Sequence, residues 1–112
     1  MKTLLLRPLK VTTMAQLSIA QKNDHMRQTM TGCRIFLASG VEYSDSRDAI
    51  ILAARVFYQF TDDSNPYGEN DFSFFDVNGK KYFFKFDYYD DSFEFFQEDG
   101  NRVLTIGRAD EY

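Results

Sequence analysis

FSFFDVNGKKYFFKFDYY, residues 72–89, is two aromatic, alternating runs joined by Asn78-Gly79. A two-residue type I′ turn needs φ > 0 at both central positions, which Asn and Gly tolerate, so the stretch reads as a β-hairpin. With Asn78 and Gly79 as its loop, Val77 pairs with Lys80, Phe75 with Tyr82 and Ser73 with Phe84. Successive side chains alternate between the faces of a sheet. One face then carries Val77, Phe75, Tyr82, Phe84, Phe86 and Tyr88, and this is the expected core face. The other sets Asp76 against Lys81, Phe74 against Phe83 and Phe72 against Lys85, with Asp87 beyond. Such cross-strand pairs contribute roughly 0.2–1 kcal/mol each. Phe72, Phe74 and Phe83 on this mixed face need a cover: a helix, the N-terminal arm, a partner or a second protomer.

Upstream of the hairpin, Thr61 to Asn70 (TDDSNPYGEN) is turn chemistry throughout. Before it, Ile50, Ala53, Ala54, Phe57 and Phe60 recur at helical spacing, with Ile51, Leu52 and Val56 widening the stripe. That predicts a helix from about Ser46 to Phe60 packed on the sheet, with Asp45 and Asp48 near its positive end. A first helix runs from a Ser18 cap to about Met30, with Ile19, Met26 and Met30 apolar and Gln21, Lys22, Asp24, Arg27 and Gln28 polar. Gly32 ends it, and Cys33 to Ser39 reads as a strand. Downstream, Asp90-Asp91 turn the chain, Phe93 to Gln97 reads as a third hairpin strand, and Arg102 to Arg108 as the last strand. The expected fold is α+β: an antiparallel four- to five-stranded meander with two helices packed on one face. Residues 14–112 form its single domain, and residues 1–13 form a flexible N-terminal arm, with Met14 an alternative start.

Charge is unevenly spread. Residues 1–60 carry eight Lys and Arg against four Asp and Glu, whereas residues 61–99 carry three against eleven. The acidic, aromatic half repels phosphate and suits a basic partner or a cation. Arg27, Arg34, Arg47 and Arg55 in the basic half are scattered, so direct nucleic-acid binding is not expected. The single cysteine, Cys33, excludes an internal disulfide and suits a reducing cytoplasm. The one histidine, His25, falls on the polar side of the first helix, away from Cys33. Residues 2–6 (KTLLL) are too short for a signal peptide before Arg7-Pro8, and no stretch approaches a membrane span.

Three spaced motifs carry a resemblance. PYGENDF (66–72), KFDYYD (85–90) and RVLTIGRADEY (102–112) resemble the signature of a small bacterial family of unknown function, whose members read about PYGEHDFG, KIDYYD and RVLTIMLADEY. TGCRIFLASGV (31–41) resembles that family's first strand. The resemblance spans about residues 18–112 and implies a bacterial, cytoplasmic protein often encoded on plasmids and mobile elements; it implies no activity. Two positions depart from the signature. Asn70 stands for a histidine, and Gly107-Arg108 for Met-Leu. If that histidine were a general base or metal ligand in relatives, this chain lacks it.

No catalytic constellation or cofactor motif stands out. Glu69, Asp71, Asp87, Asp90 and Asp91 lie where the loop enters the hairpin and where its second strand ends, so they can converge at one end of the sheet. The leading expectation is a non-enzymatic interaction module binding a basic protein through Tyr67, Glu69, Asp71, Asp87, Tyr89, Asp90 and Asp91. An inhibitor of a nucleic-acid-directed defence complex, anti-CRISPR-like, is the form suggested by a mobile-element setting. The alternative is a small metal-binding or hydrolytic enzyme using Glu69, Asp71 and Asp87. A homodimer burying Phe72, Phe74 and Phe83 is a third arrangement.

Overall fold

Asn78 and Gly79 both adopt positive φ, 53° and 77°, and so close the hairpin as a type I′ turn requires. Its two strands, β2 (Phe72–Val77) and β3 (Lys80–Tyr89), pair in the expected register, with Phe75 opposite Tyr82 and Phe72 opposite Lys85. The computed structural model describes residues 16–112; the expected arm, residues 1–13, lies outside them. Among these residues α1 (Ile19–Thr29), β1 (Arg34–Leu37), α2 (Ser39–Glu42) and α3 (Arg47–Val56) precede the hairpin. The last strand, β4 (Asn101–Arg108), and a 3₁₀ turn, Ala109–Glu111, follow it.

The fold is α+β, but its four-stranded sheet is mixed and is not the antiparallel meander expected. The strand order is β1-β4-β3-β2, and β1 runs parallel to β4, with Arg34 beside Val103 and Leu37 beside Ile106. The expected strand Phe93–Gln97 is absent except for one bridge between Tyr89 and Phe96. The Asp90 carboxylate is the reason. It accepts hydrogen bonds from Ser92 Oγ (2.7 Å) and the Glu94 amide (3.2 Å), winding the chain into a turn in which Phe93 is left-handed at φ 57°.

The core face of the hairpin is as expected: Phe75, Tyr82, Phe84, Phe86 and Tyr88 are buried in one cluster with Leu104, Ile106, Val41, Met26, Ile50 and Ala54. On the mixed face the chain supplies part of the cover itself. The Tyr112 ring lies 5.0 Å from Phe72, 5.9 Å from Phe74 and 5.2 Å from Phe83. Phe83 is buried and Phe74 stays exposed. Gly107 is the cross-strand neighbour of Phe83, and a Cβ there would sit 2.7 Å from Cε1 of that ring. The absence of a side chain at Gly107 therefore gives the Phe83 ring its place over β4. Glu111 works as a strap: its two carboxylate oxygens accept from the Arg108 and Gly40 amides, each at 2.8 Å, tying the end of β4 to α2.

Two helix expectations need correction. α1 begins at the Ser18 cap as expected, with a reciprocal capping box to Gln21. Its left-handed C-cap, however, is Met30, and Arg27, placed on the polar side by its charge, is 1% exposed. α3 stops at Val56 rather than Phe60, and Leu52 and Val56 face outward. Arg27 links the buried side of α1 to the end of α3. Arg27 Nη1 donates to the carbonyls of Ala54 (2.8 Å), Arg55 (3.3 Å) and Phe57 (2.9 Å), and so caps the negative end of α3. Its guanidinium also lies 4.8 Å from the Phe84 ring centre and 5.5 Å from that of Phe60. Asp24 closes the arrangement, accepting from Arg27 Nη2 at 2.8 Å.

Arg27→Ala leaves these carbonyls without their donor and opens a cavity, so it is expected to cost about 3 kcal/mol or more in urea unfolding. Arg27→Lys restores only part of that loss, because one ammonium cannot fork to the carbonyls and the carboxylate together.

Candidate functional site

The loop 61–71 brings Tyr67, Glu69 and Asp71 to the end of β3, where Asp87 and Tyr89 project. These five residues, with Phe86, Tyr88 and Phe96, line an open depression of about 470 Å³. Tyr67 and Phe96 are 87% and 74% exposed, large rings left in solvent at its margin. The other two expected site residues stand apart. Asp90 and Asp91 line a neighbouring recess of about 510 Å³ with Lys22, Asp99 and Arg102, and only Tyr89 faces both hollows. The Asp90 carboxylate is spent on its own turn, and its hydrogen bond from Ser92 holds it below the usual aspartate range. Asp91 accepts from Asn101 Nδ2 at 3.0 Å.

Two carboxyls within the depression, Glu69 and Asp71, behave in the opposite way. Burial, followed by the neighbouring charges of Asp71 and Glu98, pushes Glu69 above the ordinary glutamate value. Burial and the Asp87 charge push Asp71 up as well, against a backbone hydrogen bond that lowers it. Asp87 has a 3.2 Å partner in Lys85, but both side chains are over a third exposed, so the pair is weak and exchangeable. Among the described residues no group of three or more His, Cys, Asp or Glu side chains is placed to hold a metal ion.

A buried polar network lies directly beneath, centred on Asn23, which the sequence reading did not single out. Asn23, fully buried on α1, donates through Nδ2 to the Tyr88 hydroxyl (2.7 Å) and the Glu69 carbonyl (2.9 Å). Its Oδ1 accepts from Arg102 Nε at 3.0 Å. Arg102 continues to Asp99 at 2.7 Å, and Lys22 meets the other Asp99 oxygen at 2.6 Å. Burial pushes the Tyr88 phenol far up, against the opposing Asn23 hydrogen bond, so it stays neutral. Spacing held the signal that would have found Asn23: it is four residues after Ile19 and three before Met26, on the apolar stripe itself.

Asn70 is a loop fastener here. It is left-handed at φ 55°, its Nδ2 donates to Asp24 Oδ2 (3.0 Å), and it exchanges hydrogen bonds with the Asn65 side chain at 2.7 and 2.9 Å. The remaining candidates lie apart from the depression. His25 is on the surface, and Cys33 is half-buried against the core, its thiol pushed up by burial, which makes it a poor nucleophile. Arg34 stacks 3.5 Å from the Phe93 ring centre, Arg47 pairs with Glu42, and Arg55 donates to the Gln28 carbonyl. A roomier recess of about 650 Å³ between α3, the segment after it and β2 has Asp76 as its one charged lining residue. Among the described residues no helix is long and apolar enough to cross a membrane.

A carboxyl raised on folding costs no stability below its unfolded-chain value; the cost accrues as pH rises from that value to the folded one and is fully present above it. Asp71→Asn is therefore expected to raise the melting temperature at neutral pH and to leave it unchanged near pH ~2, below both the folded and unfolded values. Scanning calorimetry at the two pH values checks this.

No curated protein and no solved structure matches the chain. A family model described as "Protein of unknown function (DUF3768)" matches residues 37–111, which include α2, α3, the acidic loop, the hairpin and β4. On that match the chain belongs to the DUF3768 family.

Proposed function

We propose that the protein is a non-enzymatic interaction module that receives a basic protein segment in the depression of Tyr67, Glu69, Asp71, Asp87 and Tyr89, with Asp90 and Asp91 in the adjoining recess. The observation that carries this reading is the pairing of two carboxyls, Glu69 and Asp71, both pushed up by burial and by like charge, with exposed aromatic rings at the same margin. Ionised neighbours in a partly desolvated site are costly alone, and a lysine or arginine head group offsets that cost with charge-assisted hydrogen bonds. Tyr67 and Phe96 offer faces for the same cation. The acidic excess across residues 61–99 would steer a basic partner toward this end of the sheet.

The specific form proposed is an inhibitor that occupies the phosphate-binding groove of a nucleic-acid-directed complex, acting in the cytoplasm of a bacterium that carries it on a mobile element. Charge reversal tests the proposal. Wild type and the double variant Glu69→Lys, Asp87→Lys are used to capture proteins from nuclease-treated bacterial lysate, with melting curves confirming that both are folded. Wild type is expected to retain a basic protein that high salt releases and that the variant loses. Capture should also weaken as pH is lowered from neutral, and sooner than ordinary carboxylates would dictate, because burial raises the Glu69 and Asp71 carboxyls. Retention unaffected by the double reversal would remove the reading.

A further inference from the structure

We infer that α1, which precedes the family-matched segment, is a working part of the site: Asn23 and Asp24 are positioning residues that hold Glu69 and Asp71 in place through the loop backbone and Asn70. This rests on the depression being the binding surface. The family match begins at residue 37, whereas α1 spans Ile19–Thr29. The matched segment thus contains every residue lining the depression yet not the helix that fastens its loop.

The fastening is visible bond by bond. Within the loop, the Asn65 amide donates to the Thr61 carbonyl, the Gly68 amide to the Asn65 carbonyl, and Asn65 and Asn70 clasp side chain to backbone. These bonds shape the loop but do not attach it. Attachment comes from Asn23 Nδ2 on the Glu69 carbonyl (2.9 Å) and from Asn70 Nδ2 on Asp24 (3.0 Å), one on each side of the Glu69–Asn70 peptide. On the far side of Asp71, its carbonyl accepts from the Phe86 amide at 2.8 Å, where the hairpin begins. Glu69 is therefore carried by α1, and Asp71 is carried jointly by α1 and β3. Asn23 and Asp24 are themselves rigid. Asn23 is buried and also bonded to Arg102 and Tyr88, and the second oxygen of Asp24 is held by Arg27. A surface loop of this length is ordinarily among the more mobile parts of a protein. Here both of its anchors lead into the core within one side chain.

The positioning role differs from a merely stabilising one in what it does to Glu69. A released loop lets that carboxyl hydrate and move from Asp71, so its titration returns toward the unfolded-chain value. The test is a carbon-detected NMR titration of wild type, Asn70→Ala and Asn70→His. Histidine tolerates the left-handed backbone and keeps an N–H for Asp24. Asn70→Ala is expected to bring the Glu69 midpoint down, with the Asp99 midpoint unchanged as evidence that the core network is intact; Asn70→His should keep the wild-type midpoint. A folded Asn70→Ala protein that melts lower yet retains the wild-type Glu69 midpoint would overturn the inference. Should Asn70→Ala not fold, Asn70→Gly, which accepts the left-handed backbone and removes the same donor to Asp24, is expected to bring the Glu69 midpoint down likewise; a folded Asn70→Gly protein with the wild-type Glu69 midpoint would overturn the inference as well. No partner is needed, so failure here is distinguishable from failure of the capture experiment.

Discussion

Arg27 buries a guanidinium on the helix face it shares with Asn23 and Met26. The placement is tolerated because both of its Nη atoms find acceptors and its plane lies against rings, while its Nε stays without a partner among the described residues. The end of α3 supplies carbonyls, Asp24 supplies a carboxylate, and Phe60 and Phe84 supply ring faces. The desolvation cost of such a group is several kcal/mol, and its partners have to be present together to offset it. This ties the end of α3, the middle of α1 and the centre of β3 into one arrangement. Through the second oxygen of Asp24 the same arrangement extends to Asn70 and the acidic loop.

Asn23 does for the other end of the sheet what Arg27 does for α3. It joins α1 to Tyr88 on β3, to Arg102 on β4 and to the backbone of Glu69, with each of its polar atoms bonded. A polar residue in a core is unfavourable unless fully satisfied, and when satisfied it favours one arrangement over its alternatives. The two polar interruptions of the α1 stripe thus decide how the helix sits, while Met26 supplies the apolar contact between them. The depression therefore has a floor and a loop bonded into the core, while Tyr67 and Phe96 at its margin stay exposed.

What was legible in the sequence was local. Asn78-Gly79 specified the turn, alternation specified which hairpin face is buried, and Ser18 with Gln21 specified where α1 begins, because each signal lies within a few residues of what it determines. The converging part of the acidic site was legible for the same reason: the loop before β2 and the end of β3 are held at one end by the hairpin register. The parallel pairing of β1 with β4 was not legible, since it joins residues about 70 apart and nothing local encodes its direction. Phe93 to Gln97 has the composition of a strand, but the Asp90 carboxylate competes for its amides and prevails. Asn23 and Arg27 were hidden by their own polarity, although their spacing placed both with the apolar residues.

Chemical-shift mapping tests the central claim most directly: a short peptide rich in lysine and arginine is titrated at low salt into labelled protein. Binding at the depression predicts perturbations concentrated at Tyr67, Glu69, Asp71, Asp87 and Tyr89 and passed to the Asn23 side-chain amide beneath them. Perturbations spread evenly over Asp62, Asp63 and Asp76, or centred on the recess beside β2, would contradict it.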